Sequence, residues 1–314
     1  DFELVQKAEE ELRRTKIYHH INYDSVLQLP ADKITAAIIA LQIQRMENDL
    51  LSASGTALTE ISNNIGYFKQ VQQLIQKDEA SLKQMNSKLV ILLHDHAQEV
   101  INKYLEGDAA ELEKRRYYNA ASNGYDVYPK LYALALKLTG PDDYLHHILK
   151  VNQYYFGGVA LLLKIPLTKD PSALIEEAFR LEQKALELET GAPYIYNTLG
   201  VLYWYKQNFK KAEEMYLKAA ELAPQWAIPW SNLLSLYTAQ KNYKSATEAF
   251  TKARQLGTEN SDVYANAGWL YEAQQNFLFA EEMQRKSIFY NSRHYYPFER
   301  LAAVYTKTTN YAAA

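Results

Sequence analysis

The chain has 314 residues, 48% hydrophobic and 23% charged, enough for about two ordinary domains or one extended repeat array and too apolar for wholesale disorder. It contains no cysteine, which excludes a disulfide framework, a Cys nucleophile, an iron–sulfur cluster and any thiolate zinc site. A formal net charge of −3 offers no basic face for nucleic acid, and the scarcity of Gly (11) and Pro (9) favours long helices, while Tyr, at 26, is the surplus that needs a home.

In chain order, residues 1–106 read as an N-terminal helical bundle or coiled-coil-like hairpin. His19-His20 follow a basic helix end, where they suit the C-terminal dipole. Pro30-Ala31-Asp32 marks a helix start with Asp32 as its cap, and Ile34, Ala37, Ile38, Leu41 and Met46 share one face as far as Ser54-Gly55. From Thr56 the spacing becomes heptad-like through Leu58, Ile61, Ile65, Phe68, Ile75, Leu82, Met85, Leu89, Leu92 and His96. Either two helices pair as a hairpin about Asp78 or one very long helix runs through. Helices of about twenty residues suit a compact bundle, which favours the hairpin. Turn signals at Gly107-Asp108, Ser122-Asn123-Gly124 and Gly140-Pro141-Asp142-Asp143 frame two further helices. A helix over roughly 144–164 then carries Gly157-Gly158 at a close-contact position, and Asp170-Pro171-Ser172 starts another that bears Ala178 and Ala185. Residues 107–192 therefore read as decayed copies of the repeat that begins at residue 193.

The segments 193–226, 227–260 and 261–294 align in register at 34 residues, with a fourth copy beginning at Tyr295. An aromatic recurs at Tyr196, Trp230, Tyr264 and Phe298, followed by Leu199-Gly200, Leu233-Leu234, Ala267-Gly268 and Leu301-Ala302. A tyrosine comes next each time, at Tyr203, Tyr237, Tyr271 and Tyr305, then Asn208-Phe209, Asn242-Tyr243, Asn276-Phe277 and Asn310-Tyr311 at the turn. The second half carries Ala212, Ala246 and Ala280, then Tyr216 and Phe250, then Ala219 and Ala253, with Pro224 closing the first copy. Gln284 and Ser287 depart from the ring and the alanine of their columns. This pattern resembles the tetratricopeptide repeat, W-x2-L-G-x2-Y, then A-x3-F, then P. The resemblance implies an all-α fold: a right-handed superhelical solenoid of helix hairpins, here preceded by the N-terminal bundle. The last unit stops at Ala314 on its small-residue column, so the parent chain is expected to continue or another chain to cover that end.

Catalytic signatures are absent: there is no G-x-G-x-x-G, G-x-x-x-x-G-K-[ST], G-x-S-x-G or H-E-x-x-H. His94 and His96 point to different faces of a helix and do not share a metal, and Asp142 beside Gly140-Pro141 reads as a cap rather than as half a metal site with His146. The short basic clusters Arg13-Arg14, Lys114-Arg115-Arg116 and Lys210-Lys211 read as solvated helix faces. No enzyme, cofactor or metal is expected. The most apolar run, 159–166, is far short of the ~18 residues of a membrane span. No signal peptide is visible, which favours the cytoplasm.

The tetratricopeptide resemblance further implies that the first helix of each unit faces a concave groove. The columns it places there are Tyr194, Asn197, Val201, Trp204 and Tyr205; then Ile228, Ser231, Asn232, Ser235 and Thr238; then Asp262, Ala265, Asn266, Trp269 and Glu272; and finally Tyr296, Glu299, Arg300 and Thr306. Asn232 and Asn266 have amides able to donate to and accept from a peptide backbone, and Trp204, Tyr205 and Trp269 offer stiff contact area. Members of the family that grip acidic C-termini use Lys and Arg here, whereas Asn197, Val201, Asn232, Asp262 and Asn266 occupy the matching columns. The expected partner is thus an uncharged, apolar or mildly basic protein segment, held by a non-catalytic scaffold. Two other readings stand beside it: a regulatory or sensory segment of a larger enzyme or signalling protein, and self-assembly into a homo-oligomer through the heptads and the open repeat end.

Overall fold

The computed structural model describes residues 79–120, 124–141, 143–257 and 259–308. Among these, every regular element is helical: α1 (Glu79–Glu106), α2 (Ala109–Lys114), α3 (Tyr128–Leu138), α4 (Tyr144–Leu162), α5 (Ser172–Leu188), α6 (Pro193–Tyr205), α7 (Phe209–Leu222), α8 (Ala227–Ala239), α9 (Tyr243–Leu256), α10 (Ser261–Ala273), α11 (Phe277–Tyr290) and α12 (Tyr295–Lys307). Two 3₁₀ turns, Tyr117–Asn119 and Ile165–Leu167, complete the set. The predicted features before residue 79, including the turn at Asp78 and His19-His20, lie outside the described residues, as do Asp142, Asn310-Tyr311 and Ala314. The chain divides into two compact units, 1–97 with 127–150, and 98–126 with 151–314.

In the first unit His96 is buried, and its Nε2 lies 2.9 Å from the Tyr128 hydroxyl. Tyr128 stacks on Tyr132, whose hydroxyl donates to the Leu93 carbonyl. The start of α4 is capped by Asp143, which accepts from the Leu145 amide at 2.9 Å, and His146 Nδ1 meets the Thr139 hydroxyl at 3.1 Å. No group of three or more metal-ligating side chains occurs among the described residues.

In the second unit the repeated sequence becomes a repeated turn. Three residues reverse the chain between α6 and α7, α8 and α9, and α10 and α11, and in each the middle one is left-handed: Gln207 (φ 57°), Lys241 (φ 59°) and Gln275 (φ 62°). The amide that comes next closes a six-residue loop, Asn208 to the Tyr203 carbonyl at 2.9 Å, Asn242 to Tyr237 at 2.9 Å and Asn276 to Tyr271 at 2.8 Å. The same asparagine then caps the next helix through its side chain, which accepts from the amides of Lys211, Ser245 and Phe279. The recurring Asn is therefore both the end of one helix and the beginning of the next.

Within a hairpin the helices approach through the small-residue columns. A Cβ added at Gly200 would sit 2.5 Å from the Tyr216 ring, and one at Gly268 would collide with the Gln284 amide. Where the third copy departs from the pattern, hydrogen bonds replace ring packing. Gln284 Nε2 donates to the Ala265 carbonyl at 3.1 Å, and Ser287 Oγ donates to the Ser261 carbonyl at 2.7 Å. The predicted start at Asp170 is also present, with Asp170 accepting from the Ser172 amide and hydroxyl. The core runs along the hairpins through Leu233, Leu234, Leu236, Ala246, Phe250, Val263, Ala267 and Leu270. Because Tyr216 is itself buried, Gly200→Ala has nowhere to push the ring, and we expect it to cost about 1–3 kcal/mol by urea denaturation. An unchanged midpoint would show that α6 and α7 are not held in this close approach.

Candidate peptide-binding groove

The first helices of successive hairpins, α6, α8, α10 and α12, contribute side chains to one concavity of about 430 Å³. A line of amides crosses it. Asn232 Nδ2 donates to Asn197 Oδ1 at 2.9 Å, and Asn197 Nδ2 donates to the Tyr104 hydroxyl at 3.0 Å. One repeat further on, Asn266 Nδ2 donates to Ser231 Oγ at 2.9 Å and to the Ser231 carbonyl at 3.2 Å. Val159, Leu162, Leu163 and Pro166 form an apolar wall, joined by Val201 and Ile228. Tyr205, Tyr295 and Tyr296 add rings.

The other wall comes from residues 104–118, of which Tyr104, Leu112, Arg115, Arg116, Tyr117 and Tyr118 line the cavity. Gly107, at φ 74°, ends α1 in a reversal closed by the Asp108 amide on the Lys103 carbonyl, and the Asp108 side chain then caps α2. Arg115 lies over the Tyr104 ring, 3.6 Å from its centroid, and bonds Glu111 and the Tyr155 hydroxyl, each at 2.8 Å. Arg116 grips Asp262 with both terminal nitrogens, Nη2 meeting Oδ2 at 3.0 Å. Burial alone would push the Asp262 carboxyl up, but Arg116 and His294 outweigh it and hold the group below the usual carboxylate range.

His294 closes the far end. Burial pushes its imidazole down to about 4, so it is neutral at neutral pH. Its Nδ1 is 2.8 Å from Ser261 Oγ, and its Nε2 is 4.0 Å from Asp262 Oδ1. Serine, histidine and aspartate thus meet, but without the geometry of a nucleophile. Ser261 Oγ is buried and paired with Ser287 at 2.9 Å, it does not line the cavity, and the Asp262 oxygens belong to Arg116.

The family profile described as "Tetratricopeptide repeat" matches residues 193–226, the first of the three copies in register. Residues 193–226 are a tetratricopeptide repeat. No protein with a curated description matches its sequence. Solved structures similar to this chain include PilF of Pseudomonas aeruginosa, 23% identical over 53% of this chain and 72% of that one, with a TM-score of 0.45. A tetratricopeptide repeat protein from Parabacteroides merdae is 17% identical over 69% of this chain and 75% of that one, with a TM-score of 0.45. A chain of the APC/C hetero-tetramer Cut9–Hcn1 is 15% identical over 96% of this chain, with a TM-score of 0.49, and this chain spans about half of its length (52%).

Of the residues the sequence assigns to the TPR groove, Asn197, Val201, Tyr205, Ile228, Ser231, Asn232, Asp262, Asn266 and Tyr296 line the cavity. The other ten do not, Thr238, Ala265, Glu299, Arg300 and Thr306 among them, and the remaining five stand elsewhere. Tyr194 packs edge-on against Tyr155, with ring centroids 4.6 Å apart, and Trp204 likewise against Phe209 at 5.7 Å. Ser235 Oγ bonds back to the Ser231 carbonyl, and Trp269 is half-buried away from the cavity. Glu272 is buried in ion pairs with Arg300 at 2.5 Å and Lys307 at 2.6 Å, which tie α10 to α12. The Asn232 and Asn266 amide nitrogens, expected to meet a peptide, are engaged within the protein.

The reading of Lys114-Arg115-Arg116 as a solvated face is corrected at its two arginines. Their side chains are only 10% and 15% exposed, and both face the groove. Composition hides this, since the neighbouring Glu111 and Glu113 make the run look self-neutralised. The available signal was Asp262, an acid where the other copies hold Tyr194, Ile228 and Tyr296.

Proposed function

We propose that the protein is a non-catalytic scaffold whose groove holds an extended or helical segment of a protein partner. Tetratricopeptide repeats bind protein or peptide partners, and no helix among the described residues is long and apolar enough to cross a membrane. The observation that carries the reading is the convergence of α6, α8, α10 and α12 on one cavity with a polar amide floor and an apolar wall, the make-up of a peptide-recognition site. On this reading residues 193–314 form the binding part, 107–192 are TPR-like helices that precede it, and 1–106 are an N-terminal bundle. The partner segment is uncharged, apolar or mildly basic, because the lining cations Arg115 and Arg116 are already paired, with Glu111 and Asp262, and do not call for an acidic partner.

The test is selection of peptides from a displayed library on the full chain, followed by affinity measurement on Val201→Arg and Asn232→Ala. Each variant is expected to lose about tenfold or more, the loss of one well-placed contact, with helicity by circular dichroism unchanged. Peptides that bind both variants as tightly as the parent protein would overturn the groove assignment.

A further inference from the structure

The groove already holds a segment of its own chain. Residues 108–119 lie against it, anchored at the buried Glu111 and Leu112 and at Arg115, and beyond them through polar bonds: Arg116 on Asp262, the Tyr118 hydroxyl on the Arg293 carbonyl at 3.2 Å, and Glu113 accepting from Asn291 Nδ2 at 2.8 Å. The Tyr118 ring meets Tyr295 edge-on, with centroids 6.5 Å apart. Arg116, Glu113 and Tyr118 are half-buried, unlike the apolar side chains that hold one hairpin to the next. The secondary structure of the segment is minimal, a six-residue helix and one 3₁₀ turn. On either side stands a glycine in the left-handed region, Gly107 and Gly124, both at φ 74°, where the backbone turns without Cβ strain. Polar, partly solvated contacts are weak individually, because water replaces them when they part.

We propose that residues 116–119 of this segment, beyond its anchor at Glu111, Leu112 and Arg115, are a releasable internal ligand of the groove, and that the partner segment which displaces them carries its own arginine beside an aromatic residue, to take the places of Arg116 and Tyr118 at Asp262 and Tyr295. The argument for this occupant is the one seated there. Asp262 sits in a carboxylate-sized site that a guanidinium spans with two bonds, and a released Asp262 is a half-buried charge that favours another arginine over water. The seated segment reads Glu111-Leu112-Glu113-Lys114-Arg115-Arg116-Tyr117-Tyr118-Asn119, and the same run supplied in trans is a direct probe.

The inference rests on the groove reading, and its experiment separates the two. A fluorescent peptide of residues 111–119 is titrated by anisotropy into the full chain, into Arg116→Ala, into Tyr118→Ala and into Arg116→Ala/Asp262→Asn, each checked for folding by circular dichroism. Opening the segment raises the fraction of binding-competent molecules, so the first two variants are expected to bind about tenfold or more tightly than the parent protein. The double variant is expected to lose that gain, as is a probe in which the residue matching Arg116 is alanine. Equal binding, or no binding, across the parent protein and both single variants overturns the internal ligand. A gain that survives loss of the probe's arginine overturns the arginine-bearing partner. In either case library peptides that still depend on Val201 and Asn232 leave the groove reading standing.

Discussion

Replacing Glu182 by Met is expected to stabilise the protein by about 1–3 kcal/mol at neutral pH and to remove a decline in stability with rising pH. Glu182 occupies the column that holds Tyr216, Phe250 and Gln284 in the later hairpins, and its carboxyl lies against Gly158 as the Tyr216 ring lies against Gly200. It is 0% exposed, and neither oxygen has a hydrogen-bond partner. Burial raises its carboxyl well above the usual range, and Arg115, which favours the ionised form, does not offset this. The folded state therefore keeps a proton that the unfolded chain releases. Stability is full below the ordinary carboxylate pKa and falls as pH rises above it, until the buried carboxyl itself ionises. His294 acts in the opposite sense: its depressed imidazole makes stability fall as pH drops from about 6.5 toward 4. The difference between wild type and Glu182→Met cancels the His294 contribution. Urea denaturation of both proteins from pH 4 to 9 should give curves that diverge as pH rises, with the variant higher. Parallel curves would mean that the carboxyl is hydrated or paired in solution.

The repeat half of the fold was legible because its determinants are local and periodic. Asn208, Asn242 and Asn276 each end one helix and cap the next within a few residues, and Gly200 and Gly268 mark helix contacts inside a single hairpin. Such features recur every 34 residues and can be read by eye. Asn197, Asn232 and Asn266, which the repeat register groups, line one cavity. The lining of the other side was not legible. Arg116 reaches Asp262 across 146 positions and Trp226 reaches Tyr104 across 122, and no periodicity links such pairs. Trp204 and Trp269, expected in the groove, do not line the cavity, because helical spacing fixes a face but not the depth at which a neighbouring ring covers it. The tyrosine surplus divides accordingly. Those in the repeat columns pack hairpins, whereas Tyr104, Tyr125 and Tyr155 gather around the Arg115 guanidinium, within 3.6, 5.3 and 5.9 Å of their ring centroids. A buried cation so surrounded gains from the ring faces as well as from Glu111.

Trp226→Ala is expected to be the most damaging single change in the repeats, costing about 3–5 kcal/mol. Trp226 stands at the turn between α7 and α8, is 2% exposed, and packs with Tyr104, Leu112, Ala219 and Ile228. Its indole N–H donates to the Tyr104 carbonyl at 3.0 Å and its ring meets the Tyr104 ring edge-on at 5.0 Å. The consequence extends beyond the cavity left behind. Trp226 fixes Tyr104, the Tyr104 hydroxyl receives Asn197 Nδ2, and Asn197 Oδ1 receives Asn232, so one indole anchors the amide line across the groove floor. Trp226→Phe keeps most of the buried area and loses the N–H, so it should cost only about 1–2 kcal/mol while still loosening Tyr104. Hydrogen exchange would then show the amides of 104–108 opening well before those of α8 and α9 in the Phe variant. If Trp226→Ala costs less than about 1 kcal/mol, or if exchange in the Phe variant is uniform along the chain, Trp226 is a surface ring with no role in joining residues 98–106 to the repeats.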